Sequence, residues 1–270
     1  MNPIDAQFAR MRAAGRPAFM PFLPAGDPDL AFTRELIPAV AAAGADLIEV
    51  GFPFSDPIAD GPVIQASYTR ALKHGVKLDD LFASIGEAAR ASAATGVALV
   101  GMASYSLIYR KGIDAFLIAA QQAGLSGAVV PDLPVEEAEE LAKKCQDHDF
   151  KLILLVTPTT APERAERIVK VCGGFVYVVS VVGITGARAA VSDQVRPVIA
   201  RLRTMTDLPL CIGFGVSTLA QVRELRDIAD GIIVGSALVK LLENAGNPTG
   251  RASAITNVTA AVRDLSAALH

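Results

Sequence analysis

The residues best suited to acid–base chemistry lie in one short stretch at the end of an apolar run. Glu49 stands within Asp46-Leu47-Ile48-Glu49-Val50, and the loop that follows contains Asp56 and Asp60. Because side chains alternate along a strand, Glu49 shares a face with Leu47 and is poorly placed to reach water. A carboxyl group in apolar surroundings has a raised pKa, so Glu49 is a candidate general acid. A solvated Glu at a strand end, or one paired with a buried Arg, is the alternative.

Two glycine-rich loops late in the chain are candidates for binding an anion. They are Gly213-Phe-Gly215-Val-Ser217 and Gly235-Ser236, and each follows a short apolar run. Glycines let backbone N–H groups approach a phosphate, and the start of a following helix adds positive potential. Ser236 could also cap that helix or donate its hydroxyl. Two ordinary tight turns are the alternative, but their occurrence after the last two predicted strands favours phosphate binding.

Other titratable residues give weaker signals. None of the three histidines follows a predicted strand, and no cluster of His, Cys and carboxylate residues has metal-ligand spacing, so we predict no metal site. Lys151 begins a predicted strand at the wrong end for a Schiff-base mechanism. Asp56 and Asp132 lie in loops, where we interpret them as turn residues that accept hydrogen bonds from backbone N–H groups.

Short apolar runs alternate with amphipathic segments along the chain, a pattern typical of a parallel sheet covered by helices. The predicted strands span 18–23, 45–50, 97–103, 127–130, 151–156, 175–180, 209–214 and 231–234. Helices are predicted between them, with extra helices at 2–14 and 252–269, the last after a linker at 246–250. Eight strand–helix units favour a single α/β domain over residues 1–270, a closed (β/α)8 TIM barrel. An open doubly wound sheet is the alternative, but the G-x-G at 213–215 lacks the third glycine of a dinucleotide site.

Composition limits the cellular locations and the classes of partner that are compatible with this chain. The net charge is -3 and the basic residues are scattered, which disfavours nucleic acid or an anionic membrane as the main partner. The three cysteines are far apart and form no C-x-x-C, as expected for reduced thiols in a cytoplasmic protein. No secretory signal is visible at the start of the chain. The charge-free stretches 91–109 and 171–187 are interrupted by Gly, Ser or Thr, so strand plus loop explains them better than a membrane span.

Several motifs, in the same order as in a known family, resemble the tryptophan synthase alpha chain. The most specific is the run Glu49-Val-Gly-Phe-Pro-Phe-Ser-Asp-Pro-Ile-Ala-Asp-Gly-Pro-Val-Ile-Gln65. The others are Phe22-Leu-Pro-Ala-Gly26-Asp-Pro, Lys111-Gly-Ile-Asp114, Pro131-Asp-Leu-Pro-Val-Glu136, Gly183-Ile-Thr-Gly186, Gly213-Phe-Gly215-Val-Ser217 and Gly235-Ser236. The resemblance implies a (β/α)8 carbon–carbon lyase that cleaves indole-3-glycerol phosphate to indole and D-glyceraldehyde 3-phosphate without metal or organic cofactor.

The resemblance also implies roles for individual residues. Glu49 would protonate the indole ring at C3 and help to remove the proton of the glycerol hydroxyl, while Asp60 would accept from the indole N–H. This agrees with the chemistry, because the ring must become an electron sink before the carbon–carbon bond breaks. The implied indole pocket is Phe22, Ile64, Met102 and Phe214, the supporting residues are Tyr177 and the lid residue Thr185, and the phosphate site is Gly186, Gly215, Gly235 and Ser236. Core packing is the alternative for Ile64, Met102 and Phe214.

A partner is implied as well, a beta chain that binds pyridoxal phosphate and receives indole through a tunnel in an alpha2-beta2 tetramer. The loop with Pro53 and Asp56, and the loop after the third strand, would meet it. The chain departs from the family's M-x-Y-x-N pattern there, since it has Met102-Ala103-Ser104-Tyr105-Ser106. Two alternatives stay open. One is a free-standing lyase that releases indole, and the other is a ligand-sensing barrel or a ketose-phosphate isomerase.

Overall fold

The computed structural model of the protein describes residues 1–57, 60–180 and 191–270. Its strands are β1 (Ala18–Pro24), β2 (Leu47–Gly51), β3 (Ala98–Met102), β4 (Leu125–Val129), β5 (Lys151–Ile153), β6 (Leu155–Val156), β7 (Val176–Val179), β8 (Leu210–Gly213) and β9 (Gly231–Val234). They form one sheet in the order β5-β4-β3-β2-β1-β9-β8-β7-β6, and every pairing is parallel. Only Leu154 separates β5 from β6, so the two ends of this order belong to one interrupted strand. The sheet therefore closes into the predicted eight-stranded TIM barrel.

Helices surround this barrel. In chain order they are α1 (Pro3–Ala13), α2 (Leu30–Ala42), α3 (Pro62–Lys73), α4 (Leu78–Ser92), α5 (Tyr105–Lys111), α6 (Ile113–Gln122), α7 (Glu139–Asp147), α8 (Pro162–Val171), α9 (Val191–Arg203), α10 (Leu219–Leu225), α11 (Ser236–Lys240) and α12 (Pro248–Ala267). Short 3-10 helices lie at Ala93–Thr95 and Val135–Glu137. No helix in these described ranges combines the length and apolarity needed to cross a membrane.

Side-chain alternation divides the apolar residues into two clusters. The larger cluster packs between strands and helices and includes Ile48 and Val50 of β2. The smaller fills the barrel interior and includes Leu47, two residues before Glu49 on the same face of the strand. The predicted orientation of β2 is therefore confirmed, and its one acidic residue points into the barrel.

The first helix closes the N-terminal end of the barrel. Ile4 and Phe8 of α1 are buried in the interior cluster, and the Phe8 ring lies 5.7 Å from that of Phe175. The Asn2 side chain caps α1 and also donates to the carbonyl oxygens of Ser126 and Asp149, at 3.0 and 2.7 Å. With this end blocked, a cavity inside the barrel opens at the C-terminal ends of the strands.

Several predicted boundaries were wrong. Residues 105–111 form the helix α5, which ends at Gly112 with φ 87°. The predicted helix after β4 begins with a 3-10 turn, and α7 starts only at Glu139. The predicted linker at 246–250 contains the start of α12, where Asn247 caps the helix and Pro248 takes its first position.

Candidate active site

A cavity of about 300 Å³ opens at the C-terminal ends of the barrel strands. Its walls come from the ends of strands and from the loops that follow them, as in other TIM barrels. The lining residues are Phe22, Glu49, Asp60, Ile64, Met102, Tyr177, Phe214, Gly215, Val216, Ser217, Ile233, Gly235 and Ser236. The cavity thus brings together two acids, three aromatic rings and two glycines from seven separate segments of the chain.

Glu49 lies at the apolar floor of this cavity. Its side chain is 1% exposed, and its Oε1 atom has no hydrogen-bond partner among the described residues. Burial, together with the nearby charge of Asp60, raises the pKa of Glu49 to about 8. The solvated and Arg-paired alternatives for this residue are therefore wrong. Glu49 is therefore mostly protonated at neutral pH.

Asp60 lies closer to the cavity mouth, at the end of the acidic loop. Its backbone N–H donates to the Pro57 carbonyl at 3.0 Å, and its own carbonyl accepts from the Gln65 side chain at 2.8 Å. Burial raises the pKa of the Asp60 carboxyl group to about 6. At pH 7 the two acids therefore hold different protonation states, with Asp60 mostly ionised and Glu49 mostly protonated.

Aromatic rings form the side walls. The rings of Tyr177 and Phe214 meet edge to face, with their centroids 5.5 Å apart. A Cβ atom on Gly213 would lie 2.5 Å from Cζ of Tyr177, so only glycine leaves room for this phenol. The same holds for Gly51, where a Cβ atom would collide with Phe22. Two strand-end glycines therefore let large rings reach the centre of the barrel.

Phe214 adopts a backbone conformation that is unusual for its residue type. Its φ angle is 60°, in the left-handed region that a bulky side chain rarely adopts. Neighbouring β7 holds this segment, because the Ser180 N–H donates to the Gly213 carbonyl at 3.0 Å and the Ser180 hydroxyl donates to the Phe214 carbonyl. Backbone strain of this kind is found at ligand sites, and here it turns the Phe214 ring towards the cavity.

Gly215, Gly235 and Ser236 line the same cavity as the acids. The predicted capping role of Ser236 is wrong, because Gly235 is the N-cap of α11 and Ser236 is the first helical residue. The loop after β8 is instead fixed by Gln221, whose side chain accepts from the Ser217 and Thr218 N–H groups at 2.9 and 3.1 Å. These residues form an open rim with exposed polar groups.

A second cavity of about 320 Å³ adjoins the first, and Asp60 and Met102 line both. Asp132, on its wall, accepts from the Ser104 hydroxyl at 2.6 Å and from the Tyr105 N–H at 2.8 Å. The interpretation of Asp132 as a residue that accepts from the backbone is therefore confirmed. Asp56 is exposed and accepts no hydrogen bond from the described residues.

The structure places ten of the predicted site residues on one cavity. Thr185 and Gly186 lie outside the described residues, so their predicted roles stay predictions. The described residues contain no group of three or more His, Cys, Asp or Glu side chains that could hold a metal ion.

Sequence reasoning missed Val216 and Ile233 on the cavity wall, and also the buried Tyr68, whose hydroxyl approaches Gly51. A helical apolar face gave the only signal for Tyr68, and it does not distinguish a site residue from a core residue.

The fold and this cavity together define a TIM-barrel enzyme of the acid–base type. Comparison with known proteins gives the family. The model of the tryptophan synthase alpha chain family matches residues 8–270. The chain is 49% identical over 248 residues to the tryptophan synthase alpha chain of Rhodopirellula baltica, spanning 91% of this chain and 88% of that protein. It is 42% identical over 269 residues to that of Chloroflexus aurantiacus, spanning 100% and 99% of the two chains.

Solved structures agree with these relatives. A crystal structure of tryptophan synthase from M. tuberculosis superposes over 100% of both chains with a TM-score of 0.87 and 31% identity. The alpha subunit from Legionella pneumophila covers 100% of this chain and 98% of its own, with a TM-score of 0.89 and 30% identity. The chain belongs to the tryptophan synthase alpha chain family. It is a carbon–carbon lyase of tryptophan biosynthesis that cleaves indole-3-glycerol phosphate, and in its family the partner beta chain binds the pyridoxal phosphate.

Proposed function

We propose that the cavity shared by Glu49 and Asp60 is where this chain cleaves indole-3-glycerol phosphate to indole and D-glyceraldehyde 3-phosphate. The observation that carries the proposal is that Glu49 and Asp60 line one cavity together with the aromatic rings of Phe22, Tyr177 and Phe214. Burial raises the pKa of both acids, to about 8 for Glu49 and about 6 for Asp60. A retro-aldol cleavage needs a proton donor and a fixed negative charge at one ring. Between pH 6 and 8 this cavity holds one of each.

Glu49 supplies the proton transfers in this proposal. The protonated carboxyl group gives its proton to C3 of the indole ring, which leaves a positive charge shared with the ring nitrogen. The resulting carboxylate then takes the proton of the hydroxyl group on the first side-chain carbon. As that oxygen becomes an aldehyde, the bond between C3 and the side chain breaks and its electron pair returns to the ring. Glu49 ends the cycle protonated, as it began.

Asp60 stabilises the charged ring in this proposal. Its carboxylate accepts a hydrogen bond from the ring N–H, which becomes more acidic once C3 is protonated. The attraction is therefore stronger in the transition state than in the bound substrate, as catalysis requires. The negative charge of Asp60 also raises the pKa of Glu49, so the anion helps to keep the acid protonated.

The rest of the cavity suits the two ends of the substrate. Phe22, Tyr177 and Phe214 provide aromatic surfaces for a flat bicyclic ring. The rim with Gly215 and Gly235 lets backbone N–H groups approach a phosphate. We assign the indole pocket, the supporting role of Tyr177 and the phosphate site to these residues on that basis, with Ile64 and Met102 completing the pocket and Ser236 the phosphate site. Thr185 and Gly186 stay as predicted from the family motif.

The face that meets the beta chain is proposed to include Pro53, Asp56 and the segment 102–106. These residues border the second cavity or lie beside it. The second cavity adjoins the first at Asp60 and Met102. The segment departs from the family pattern, yet Asp132 holds Ser104 and the Tyr105 N–H in fixed positions. A preformed loop loses less conformational entropy on docking.

The proposal is tested by supplying indole-3-glycerol phosphate to the purified chain, alone and with a beta chain. We expect indole and D-glyceraldehyde 3-phosphate in equal amounts, and faster release when the beta chain is present. Unassisted turnover that the beta chain leaves unchanged would instead indicate a free-standing lyase. Absence of indole under both conditions would contradict the proposal and favour an isomerase or a ligand-sensing role.

We also propose that the protein acts in the cytoplasm. Its three cysteines are unpaired in the structure, and two of them are buried, as is usual for proteins of a reducing compartment. Fractionation of cells that express the tagged chain tests this location. Recovery of the chain with the periplasmic or membrane fraction would contradict it.

A further inference from the structure

A buried phenol outside the assigned site lies close to both acids. Tyr68 of α3 is 3% exposed and belongs to the apolar cluster inside the barrel, together with Phe22 and Tyr177. It is four residues after Ile64, so the two side chains share one face of the helix. Ile64 lines the first cavity and Tyr68 lines the second. Tyr68 therefore lies on the wall of the cavity that shares Asp60 and Met102 with the first.

The hydroxyl group of Tyr68 points to the end of β2. A Cβ atom on Gly51 would lie 2.5 Å from the Tyr68 Oη atom. Gly51 is two residues after Glu49 on the same face of the strand, so the phenol reaches the barrel axis just above the acid. Among the described residues no group forms a hydrogen bond with this hydroxyl. The hydroxyl faces the space of the second cavity, where it can donate to an acceptor on the cavity wall.

An acceptor without a donor lines the same cavity. Asp60 and Tyr68 are both on the wall of the second cavity, and no side chain in the described ranges donates to the Asp60 carboxylate. The charges of Asp60 and Glu49 also raise the pKa of the Tyr68 phenol, after the larger effect of burial. The phenol therefore stays protonated at neutral pH and able to donate.

Bound substrate would leave the Asp60 carboxylate in need of a hydrogen-bond donor such as the Tyr68 hydroxyl. If one Asp60 oxygen accepts from the indole N–H, the other oxygen is buried by the bound ring and loses its water. An unpaired carboxylate oxygen in that position is costly. We infer that the Tyr68 hydroxyl donates a hydrogen bond to the Asp60 carboxylate when substrate is bound, which makes Tyr68 a positioning residue for the cleavage reaction. The inference rests on the proposed role of Asp60.

Removal of the hydroxyl alone tests the inference. Tyr68→Phe keeps a ring in the apolar cluster inside the barrel, and Tyr109→Phe is the matched control because Tyr109 is 71% exposed. In the assay without beta chain we expect kcat/KM for indole-3-glycerol phosphate to fall about tenfold in Tyr68→Phe, since a hydrogen bond to a charged group is lost. The control should stay within about twofold of the wild-type value.

A pH profile separates positioning from packing. Loss of a donor to the Asp60 carboxylate raises its pKa in the substrate complex, so the acidic limb of kcat, which reports that complex, should move to higher pH in Tyr68→Phe. The other titratable groups near Asp60 or on the walls of these cavities are Glu49, Asp56, Asp132 and Tyr177, and none of them is altered in the variant. A uniform loss of activity at every pH would indicate lost packing and would overturn the inference.

A double-mutant cycle gives a second readout. In the Asp60→Asn background, Tyr68→Phe should have an effect of less than about twofold, because the carboxylate is already gone. An undiminished tenfold effect in that background would overturn the inference.

If Tyr68→Phe proves poorly folded by circular dichroism, 3-fluorotyrosine at residue 68 keeps the shape and strengthens the donor, so the acidic limb should move to lower pH. An unmoved limb with that residue would also overturn the inference. If the wild-type protein releases no indole, the proposed function is contradicted. That result is distinguishable from failure of the inference about Tyr68, which requires an active wild-type protein.

Discussion

Phe22 and Glu49 are direct register partners on the adjacent strands β1 and β2. The aromatic ring therefore lies beside the acid at the same height in the barrel, and it also fills the space that a side chain at Gly51 would need. This pairing keeps water from the carboxyl group on that side. Burial is the largest cause of the raised pKa of Glu49, so the strand register contributes directly to the acid–base chemistry.

The pH dependence of the reaction follows from the two acids. Activity requires an ionised Asp60 and a protonated Glu49, whose pKa values are about 6 and about 8. We expect kcat/KM to rise as pH increases through 6 and to fall as it increases through 8, giving a bell-shaped profile for the free enzyme. Steady-state assays from pH 5 to 9 measure this. A profile that is flat across this range would contradict the assigned protonation states.

Glu49 should also make the folded protein less stable at alkaline pH. Its pKa in the folded state is about 8, above the ordinary value of 4.5, so the folded protein binds the proton more tightly than the unfolded chain does. The stability that this proton provides is complete at pH 4 and is lost as pH rises through 8. We expect Glu49→Gln to be more stable than wild type at pH 9, by up to about 5 kcal/mol.

Urea unfolding at pH 5 and pH 9 tests this expectation. The difference in unfolding free energy between Glu49→Gln and wild type should grow with pH. Leu47→Gln, which also buries an amide on this face of β2 but removes no titrating group, serves as the control and should destabilise at both pH values. An equal effect of Glu49→Gln at the two pH values would show that burial does not shift the pKa of Glu49.

Gly213 should be intolerant of even the smallest side chain. A Cβ atom there would lie 2.5 Å from Cζ of Tyr177 on the neighbouring strand, so the ring must move away from the cavity wall. We expect Gly213→Ala to lower kcat/KM by about 10- to 100-fold, the loss typical of a misplaced site. Gly246→Ala is the control, because a Cβ atom at Gly246 meets nothing within 4 Å. Comparable activities of the two variants would contradict this account of the wall.

The ion pair between Asp27 and Arg70 should stabilise the helix that follows Asp60. Arg70 of α3 donates two hydrogen bonds to the fully buried Asp27 carboxylate, at 2.9 and 2.6 Å. Arg70→Ala leaves that charge unpaired, so we expect a loss of about 2–4 kcal/mol of unfolding free energy.

Arg34→Ala is the control for Arg70→Ala, because the ion pair of Arg34 with Glu87 is exposed and should be worth less than about 1 kcal/mol. Equal losses in the two variants, measured by urea unfolding, would show that burial of the Asp27 pair adds nothing to its strength.

The sequence allowed the barrel and the position of Glu49 to be predicted, because both depend on local patterns. Apolar runs define strands, and the alternation of side chains along β2 places Glu49 on the interior face with Leu47. Tyr68 could not be predicted as a site residue, since its hydroxyl reaches Gly51 only through the packing of α3 on the barrel. The helix α5 was missed for a related reason. Its N-cap Ser104 also bonds to Asp132, which is distant in sequence.

The start of α12 could have been found from local signals. Asn247 and Pro248 have the residue types preferred at the N-cap and the first helical position, but the nearby glycines favoured a linker. The interruption at Leu154 has no such signal, because the residues around it are uniformly apolar. The break depends on how β5 and β6, the first and last strands in the order of the sheet, meet when the barrel closes.

The central claim is that Glu49 supplies the proton that makes the indole ring a leaving group. Turnover of indole-3-glycerol phosphate by wild type and Glu49→Gln, together with the Kd of each for the non-cleavable analogue indole-3-propanol phosphate, tests it most directly. We predict that kcat falls by at least ~10²-fold in the variant while the Kd changes by less than about threefold. A kcat within about tenfold of wild type, with binding intact, would contradict the claim.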